Sequence, residues 1–411
     1  MQAMQLPQPP APHSLRFSEI VDELALYLRP PGMGIHAVST GRDAVLEAAQ
    51  HYLGAAWSPE LPWRASIERQ LDQLRNLPAA TPRVAIVALP SDTGCGIVRG
   101  ASWGPAAIRE RLGHARVPDF GDVFTVPQLL ADDMHAPAQI AETQDAIYPH
   151  LPLEQRRALP VSPVSCTARV YDLLLTACPG LRPMLLGGDH TVTWPALHIL
   201  LRHMGPLDDV GVVHFDAHTD LLAHRLGVKI CFATWAYHIN EQLGRGQRMV
   251  QIGIRASGFP REHWESTLDV RQIWAHTAQT LGPKKLAHTI SSHLREKGLR
   301  RIYVTHDIDG TDAYWAAACG TPEANGLTPA MVLAVLDQLA GDGFDVVGAD
   351  VVEVAPGLSL DAQAARRTCI TATAYTQASL DLLTGSPTPT LEARAAMADI
   401  GLEHPSSDKG L

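Results

Sequence analysis

The sequence lacks the features that mark secreted, membrane-spanning and nucleic-acid-binding proteins. Its six cysteines are scattered and include no CxxC pair, which argues against both a disulfide framework and a zinc knuckle. The formal net charge is -10 and no basic patch stands out, so we do not expect a nucleic-acid partner. No apolar run approaches the roughly 20 residues that cross a bilayer, and the N-terminal residues lack the positive region and apolar core of a signal peptide. We therefore expect a cytoplasmic protein with no membrane partner.

The chain has 411 residues, of which 46% are hydrophobic and 18% charged, enough for one large α/β domain or two ordinary ones. Residues 1–13 are rich in proline and should be disordered or extended. Apolar residues then recur at helical spacing in three stretches, 14–28, 42–56 and 62–77. Amphipathic helices outside a complete core need a surface to cover, so this N-terminal arm, residues 1–80, should pack on the core or on a neighbouring subunit, and we favour the neighbouring subunit. Residues 81–385 should form the main domain and residues 386–411 a C-terminal tail.

Apolar strands and helical patterns alternate through the main domain. Strands are predicted at 83–89, 120–124, 184–188, 210–215, 250–255, 302–307 and 344–354. Helices are predicted at 165–177, 195–203, 281–297 and 329–339, and residues 136–160 at a variable connection. This alternation predicts a three-layer α/β/α fold, in which a mostly parallel, doubly wound sheet carries helices on both faces.

The stretch from residue 210 to residue 220 carries the strongest chemical signal. A short apolar strand ends there in Asp216, His218 and Asp220. Because side chains alternate along a strand, residues two apart share a face and these three converge on one side. Two carboxylates and one imidazole at a strand end form half of a site for divalent metal ions. A polar strand end with solvated charges is the alternative.

Two other strand ends carry matching residues. Residues 184–191 read Met-Leu-Leu-Gly-Gly-Asp-His-Thr, and residues 302–309 read Ile-Tyr-Val-Thr-His-Asp-Ile-Asp. In open parallel sheets, sites form outside the carboxyl ends of the strands. The three ends together supply two histidines and four aspartates: His190, Asp216, His218, Asp220, Asp307 and Asp309. Such a set can hold two divalent ions about 3.5–4 Å apart, which make hydroxide from water near pH 7 and clamp the reacting group.

The motifs Gly-Gly-Asp-His-Thr, Asp-Ala-His-Thr-Asp and Asp-Ile-Asp, in this order, resemble the three metal motifs of the ureohydrolase (arginase–agmatinase) family. The resemblance covers roughly residues 85–385. It implies an arginase-like fold, hydrolysis of a small guanidino substrate to urea and an amine or ammonia, and trimers or hexamers, with a paralogous subunit as one arrangement. It also implies one ion on His190, Asp216, Asp220 and Asp307 and another on Asp216, His218, Asp307 and Asp309. Asp216 and Asp307 would then bridge the two ions.

The resemblance also assigns catalytic and substrate-binding roles. Glu353, in Asp-Val-Val-Glu, should accept hydrogen bonds from the planar N–H fork of a guanidinium. Asp220 is the candidate that hydrogen-bonds the leaving amine and passes it a proton. The loop after the first strand should border the pocket, with residues 91–93, Thr93 among them, as substrate contacts. The plainer alternatives are a surface acid for Glu353 and a loop that only shapes a turn.

Two departures from the family pattern bear on the substrate. The family carries a proton-shuttle histidine in a His-Gly pair after the Asp-x-His-x-Asp stretch, and this chain has Phe232-Ala233 there. His224 and His238 are the candidates to replace it. Arginases also place polar residues after this stretch to bind the amino-acid end of arginine, whereas residues 221–223 are Leu-Leu-Ala. Arginine is therefore a poor candidate substrate.

The sequence Lys-Ile-Cys-Phe-Ala-Thr-Trp-Ala-Tyr-His, the His-Asp-Ile-Asp-Gly-Thr-Asp block and the long arm are similar to the guanidine hydrolase branch of the family. That branch implies free guanidine as the substrate and nickel in place of manganese, although six His and Asp ligands suit either ion. Trp235 at the pocket mouth would cap a compact cation; ordinary core packing is its alternative. The alternative substrates are agmatine, a biguanide and 4-guanidinobutyrate. Arg225 and Lys229 would bind the carboxylate of 4-guanidinobutyrate. A deacetylase and an inactive scaffold subunit are the remaining alternatives.

Four residues near the metal motifs are expected to have supporting roles. Asp189 should orient the histidine that follows it. His214 is expected as a core or supporting histidine and not as a third imidazole ligand. His306 alternates with Asp307 on its strand and should face away from the metal ions. Cys231 is expected in the core.

Overall fold

The computed structural model describes residues 15–34, 63–113, 116–124, 126 and 128–386. The predicted helix at 42–56, the proline-rich start and the C-terminal tail after residue 386 lie outside these residues. None of the described helices is long and apolar enough to cross a membrane.

A sheet of nine strands runs through the middle of the described structure. The strands are β1 (Leu28–Arg29), β2 (Arg83–Leu89), β3 (Asp119–Val123), β4 (Leu181–Gly187), β5 (Val210–Phe215), β6 (Met249–Ile252), β7 (Arg271–Ile273), β8 (Arg301–Asp307) and β9 (Asp345–Val352). Their order across the sheet is β1-β3-β2-β4-β9-β8-β5-β6-β7. Every neighbouring pair is parallel except β1 with β3. This confirms the predicted doubly wound sheet.

Both faces of the sheet are buried, because successive side chains of a strand point to opposite faces. In β2, Val87 packs into one hydrophobic core and Ile86 into the other. Strands buried on both sides carry continuous apolar runs and not an alternating pattern, which is why they are readable in the sequence.

Twelve helices surround this sheet in the described residues. They are α1 (Phe17–Tyr27), α2 (Trp63–Arg75), α3 (Gly104–Leu112), α4 (Pro137–Ile147), α5 (Leu153–Arg157), α6 (Pro163–Ala177), α7 (Thr193–His203), α8 (Trp235–Leu243), α9 (Arg261–Leu268), α10 (Ala275–Glu296), α11 (Pro329–Gly341) and α12 (Ala362–Thr384). Helices α1, α2, α6, α7 and α8 bury residues in the core with Val87, whereas α3, α10, α11 and α12 bury residues in the core with Ile86. The predicted connection at 136–160 is wrong, since it contains α4 and α5.

Helices α1 and α2 pack on the core of their own chain. Leu24 of α1 and Leu71 of α2 are fully buried in the same hydrophobic core as Val87 of the sheet. Arg169 of α6 forms a bidentate ion pair with Glu23 of α1, with N–O distances of 2.5 and 2.6 Å. For these two helices, the expectation that the arm covers a neighbouring subunit is therefore wrong.

Four central strands, β4, β9, β8 and β5, lie side by side in this order. Because all four are parallel, their carboxyl ends meet at one edge of the sheet. The predicted metal motifs and Glu353 follow these four ends, so chain segments far apart in sequence are brought to one place.

Candidate metal centre

Each candidate side chain leaves the sheet within a few residues of a strand end. Asp216 directly follows β5, Asp307 is the last residue of β8, and Glu353 directly follows β9. His190 begins a short 3-10 turn, His190–Val192, three residues after β4 ends. The positions are fixed by the strands, so little of the arrangement depends on flexible loops.

Glycines allow the loops above these strand ends to approach one another. A Cβ atom at Gly188 would lie 1.7 Å from the carbonyl oxygen of Ser91, so only glycine fits there. The backbone N–H of Asp189 donates to that same Ser91 oxygen (2.9 Å). The buried Asp189 carboxylate accepts the backbone N–H groups of Thr191 (2.7 Å) and Gly94 (3.0 Å). Asp189 thus holds two loops together and turns its carboxylate to the backbone, which fits its expected supporting role.

His190 lies among three carboxylates. Its Nδ1 is 3.2 Å from Asp216 Oδ2, 3.3 Å from Asp220 Oδ2 and 3.1 Å from Asp307 Oδ2. Within the described residues this buried nitrogen makes no hydrogen bond. Burial opposes a positive charge on the ring, but the three acids raise the pKa of His190 well above its ordinary value. We call His190, Asp216, Asp220 and Asp307 the buried cluster.

A second group of ligand atoms lies beside the first. His218 Nδ1 is 3.5 Å from Asp216 Oδ1 and 3.2 Å from Asp309 Oδ2. Burial lowers the pKa of His218, but Asp309 and then Asp216 raise it to about 12. The His218 side chain is 29% exposed, and its Nε2 is 3.9 Å from a carboxylate oxygen of Glu323. We call Asp216, His218 and Asp309 the open cluster.

Asp216 belongs to both clusters. Its Oδ2 faces His190 and its Oδ1 faces His218, so one carboxylate connects the two groups. The bridging role predicted for Asp307 stays a prediction, because its Oδ2 faces His190 and its Oδ1 accepts the backbone N–H of Asp309 (2.9 Å). Imidazole and carboxylate donors grouped in this way suit divalent ions. The six predicted ligands therefore fit a centre of two ions.

Glu353 points back to the buried cluster from a strained position. Its φ of 64° lies in the left-handed region that favours glycine, and such conformations gather at functional sites. The Glu353 N–H donates to the Gly188 carbonyl, and its Oε1 accepts the backbone N–H of His190, both at 2.8 Å. Burial, together with Asp189, raises the pKa of Glu353 well above its ordinary value. Asp220 is also in the left-handed region, with a φ of 51°.

Trp235 is not at the pocket mouth, so that expectation is wrong. The ring is fully buried because Trp235 begins α8, whose inner face packs into the core. Its Nε1 donates to Asp220 Oδ2 (2.9 Å), and its ring lies 4.5 Å, centroid to centroid, from that of His190. In this position Trp235 orients two members of the buried cluster.

The 91–98 loop contacts Phe232. Thr93 is partly exposed, and its Oγ1 is 3.0 Å from Ser91 Oγ. The Phe232 N–H donates to the Gly94 carbonyl (3.3 Å), and its ring lies 3.6 Å from the place of a Cβ atom on Gly96. Burial, and then Asp189, Asp92 and Glu353 in that order, raise the pKa of the neighbouring Cys95 to about 12. The Val98 carbonyl oxygen and Glu353 Oε2 both lie 3.7 Å from the place of a Cβ atom on Gly320, so this loop is close to Glu353.

Neither histidine considered as a replacement for the proton shuttle has a contact with the clusters among the described residues. His224 is exposed. His238 Nε2 is 3.0 Å from the Lys229 carbonyl, which uses that nitrogen in a hydrogen bond. Leu221 is buried in the core, whereas Leu222 is 37% exposed. Cys231 is buried as expected.

His306 faces away from both clusters, as the strand alternation predicts. Its ring stacks on Phe215, with centroids 5.0 Å apart, and on Tyr375. Burial lowers its pKa to about 3. This histidine is a neutral part of the opposite core.

Asp350 supports His190 from behind Thr305, and no motif in the sequence indicates this role. It accepts hydrogen bonds from three hydroxyl groups: Thr193 (3.0 Å), Tyr303 (2.8 Å) and Thr305 (2.6 Å). Thr305 Oγ1 is also 3.0 Å from His190 Nε2, so Asp350 holds the far side of the His190 ring through Thr305. The available signal was the alternation of Tyr303, Thr305 and Asp307 on one face of β8.

Comparisons with known protein sequences identify a family and relatives of this chain. The profile of the Arginase family matches residues 82–380. A guanidinobutyrase from Pseudomonas aeruginosa is 33% identical over 280 residues, which make up 66% of this chain and 78% of that protein. The mitochondrial guanidino acid hydrolase of Homo sapiens is 31% identical over 68% of this chain and 74% of its own. The mitochondrial agmatinase of Gallus gallus is 32% identical over 66% of this chain and 74% of its own.

Solved structures give the same result for the fold. Proclavaminate amidino hydrolase from Streptomyces clavuligerus is similar with a TM-score of 0.57 and 27% identity, over 74% of this chain and 92% of that one. A hypothetical agmatinase from Burkholderia thailandensis has a TM-score of 0.55 and 25% identity, over 75% and 87% of the two chains. The predicted three-layer fold is confirmed.

Proposed function

Since the chain belongs to the Arginase family and is thus a ureohydrolase that acts on guanidino C–N bonds, we propose that its substrate is free guanidine. The products are then urea and ammonia. We also propose that the chain holds two divalent ions, one in the buried cluster and one in the open cluster. When bound, such a pair supplies a nucleophile from water near neutral pH and stabilises the charge that develops on the reacting group. Nickel and manganese both suit the His and Asp donors.

Glu353 is proposed to bind the guanidinium. Its Oε1 is used by the His190 N–H, whereas its Oε2 points toward the loop at Gly320, where a Cβ atom would lie 3.7 Å away. A carboxylate matches the planar N–H fork of a guanidinium. A cation in this place also compensates a carboxylate that lies buried beside Asp189.

Asp220 is proposed to pass a proton to the leaving nitrogen. Trp235 holds its Oδ2 with a hydrogen bond of 2.9 Å, which fixes the direction of the carboxylate. A carboxylate held in this way can take up the proton that the attacking water releases and deliver it to the leaving nitrogen.

The position of Phe232 is the observation that favours a small substrate. This ring lies against the 91–98 loop at the place where family members carry a histidine, and the loop is close to Glu353. An apolar ring offers no partner to the ammonium and carboxylate groups of an amino acid. Burying such groups without partners costs several kcal/mol, on the order of the binding energy itself. Free guanidine carries neither group.

An ω-guanidino acid such as 4-guanidinobutyrate is the second candidate. Arg225 is exposed, its guanidinium lies 5.0 Å from the centre of the Phe232 ring, and it forms no ion pair within the described residues. A substrate carboxylate could pair with it. A relative that is named guanidinobutyrase and one named guanidino acid hydrolase favour this candidate over agmatine.

One assay separates the two candidates. The protein is purified with nickel or with manganese, and urea release is measured from guanidine, 4-guanidinobutyrate, agmatine and arginine. We expect the highest kcat/KM for guanidine. A higher kcat/KM for 4-guanidinobutyrate, together with its loss in Arg225→Ala, would establish the second candidate instead.

We also propose a domain organisation, an oligomeric state and a cellular location for the protein. We propose residues 81–385 as the catalytic domain, with residues 1–80 as an arm and residues 386–411 as a tail. We propose a homo-trimer or homo-hexamer, with a mixed assembly that includes a paralogous subunit as the alternative. The cytoplasm stays the predicted location, although two of the relatives are mitochondrial by name.

A further inference from the structure

A row of buried polar side chains crosses the sheet behind Asp216. His214 of β5 lies opposite Gln251 of β6, and Gln251 lies opposite Gln272 of β7. All three are buried, with at most 1% of their surface exposed. Trp274, just after β7, ends the row. Buried polar groups lower stability unless they are hydrogen-bonded, and here each is bonded to the next.

The row has a fixed direction of hydrogen-bond donation, set at its outer end. The indole of Trp274 can only donate, and its Nε1 is 2.9 Å from Gln272 Oε1. The amide nitrogen of Gln272 therefore faces the next residue, and it donates to Gln251 Oε1 (2.8 Å). The amide nitrogen of Gln251 must then face His214.

A second observation gives the same direction independently. The Gln251 amide nitrogen also lies 2.6 Å from the carbonyl oxygen of Thr219, which can only accept. The orientation of the Gln251 amide is thus fixed from both sides, by an obligatory donor at one end and an obligatory acceptor at the other. Its second N–H donates to His214 Nδ1 (3.0 Å).

The consequence for His214 is a single tautomer. Because Nδ1 accepts a hydrogen bond, the proton of a neutral ring is on Nε2, and Nε2 donates to Asp216 Oδ2 (2.7 Å). A nitrogen that carries a proton has no lone pair for a metal ion, and the lone pair of Nδ1 is already used. His214 is therefore not a ligand, although its ring is within reach of His190, Asp216 and Asp220 as a possible ligand group.

The effect on Asp216 is to hold both of its oxygens. Oδ2 accepts from His214, and Oδ1 accepts the backbone N–H of His218 (2.6 Å). A carboxylate oxygen has two lone pairs, so each oxygen keeps one for an ion. One oxygen is then directed to the buried cluster and the other to the open cluster.

We propose that Trp274, Gln272, Gln251 and His214 form a directional hydrogen-bond chain that keeps His214 as the Nε2–H tautomer and thereby sets Asp216 for both clusters. These four are positioning residues and do not touch the substrate. The inference rests on the metal centre proposed above, and it adds residues that no motif of that centre contains.

Metal affinity is the first test, measured by competition with a chelator on the full chain with manganese or nickel. Gln251→Glu replaces the donor by an acceptor, which faces the Thr219 carbonyl with another acceptor and reverses the last link of the chain, so that His214 Nδ1 would have to donate. We expect it to weaken metal binding by about 10- to 100-fold. Gln251→Leu, which only interrupts the chain, should weaken binding less, and Trp274→Phe, which removes the outermost donor, least.

Two further variants make this test specific. Trp264→Phe is the matched control for Trp274→Phe, because it also removes an indole hydrogen bond, to Ser257 Oγ (2.9 Å), but one that involves no residue of the chain or of the clusters. We expect it to bind metal as the wild type does. His214→Gln keeps an N–H near the place of Nε2 and should keep most of the affinity, whereas His214→Leu should lose it.

The outcomes test the hydrogen-bond chain and the metal centre separately. A wild type that binds no divalent ion overturns the proposed metal centre. Two ions in the wild type with unchanged affinity in a folded Gln251→Glu overturn the chain alone, and if that variant does not fold, equal affinities of Trp274→Phe and Trp264→Phe do so. Loss of metal in His214→Gln together with full retention in Gln251→Leu would make His214 a ligand. Nitrogen NMR of histidine-labelled protein should show His214 Nδ1 as unprotonated; a protonated Nδ1 contradicts the chain.

Discussion

The buried and open clusters share Asp216 but differ in their surroundings. His190 in the buried cluster is 1% exposed, with Thr305 at its far nitrogen and the Trp235 ring on its face. His218 in the open cluster is 29% exposed, and the acid nearest its far nitrogen is 3.9 Å away. Ligand side chains that are already fixed by hydrogen bonds and packing lose little conformational freedom when an ion binds. We therefore expect the buried cluster to hold its ion more tightly and the open cluster to exchange its ion.

The largest expected effect is that of Asp307→Ala, which removes a carboxylate from the tighter site. Asp307 Oδ2 faces His190, and Asp307 Oδ1 holds the turn that carries Asp309. Both clusters should lose metal, and all activity should disappear. Metal content and urea release are the measurements. Two ions per chain with normal turnover would show that Asp307 has been assigned wrongly.

Asp350→Asn tests whether the buried cluster owes its strength to the residues behind it. The substitution keeps the size but replaces one acceptor oxygen by a donor that faces hydroxyl groups. We expect the ion in the buried cluster to bind about 10- to 100-fold more weakly, and the ion in the open cluster to be much less affected. Thr193→Val removes only one of the three hydroxyl donors. Its affinity for that ion should lie between those of the wild type and of Asp350→Asn. Equal weakening of both ions would contradict the comparison.

Glu353→Gln separates substrate binding from metal binding. A hydrogen bond to a charged group contributes about 1.5–3 kcal/mol, so kcat/KM should fall at least about tenfold while metal content stays the same. The variant keeps an oxygen to accept the His190 N–H, which protects the turn. Unchanged kinetics on every guanidino substrate would remove Glu353 from the site.

Trp235→Phe should have a smaller effect. It keeps a ring beside His190 but removes the N–H that holds Asp220 Oδ2. If Asp220 passes a proton to the leaving nitrogen, kcat should fall by several-fold with KM nearly unchanged, because the carboxylate is kept and only its orientation is less well held. A large rise in KM with unchanged kcat would instead place Trp235 against the substrate.

Thr321→Val should have the smallest effect and concerns the open cluster. Thr321 Oγ1 donates to Asp309 Oδ2 (2.9 Å), on the side chain that His218 also faces. We expect a few-fold faster exchange of the more weakly bound ion and no change in the other. An effect as large as that of Asp350→Asn would make the two clusters equal.

Much of the fold and all six candidate ligands were readable from the sequence, for one physical reason. Buried parallel strands are continuous apolar runs, which can be recognised in the sequence. Ligands two residues apart at a strand end share a face, so Asp216, His218 and Asp220 indicate a site within one short stretch. Helix α12 was not predicted, because Ala and Thr fill much of it and give weak apolar spacing. Helices α4 and α5 were hidden by prolines and charge.

Other parts of the site depend on contacts between distant segments. Asp350 contacts Thr193 directly and His190 through Thr305, because β4, β9 and β8 lie side by side. No single stretch of sequence shows the order of the strands. Trp235 was placed at the mouth because it follows the metal motif, but the core face of α8 decides its burial. The pairing of His214 with Gln251 likewise depends on strand register.

The central claim is that two ions of unequal affinity in one site hydrolyse a guanidino group. Stepwise removal of metal by a chelator tests it directly, with ions per chain counted and urea release from guanidine measured at each step. We expect two ions per chain at full activity, loss of one ion before the other, and loss of urea release with the first ion. Full urea release from a chain that holds one ion or none would contradict the account.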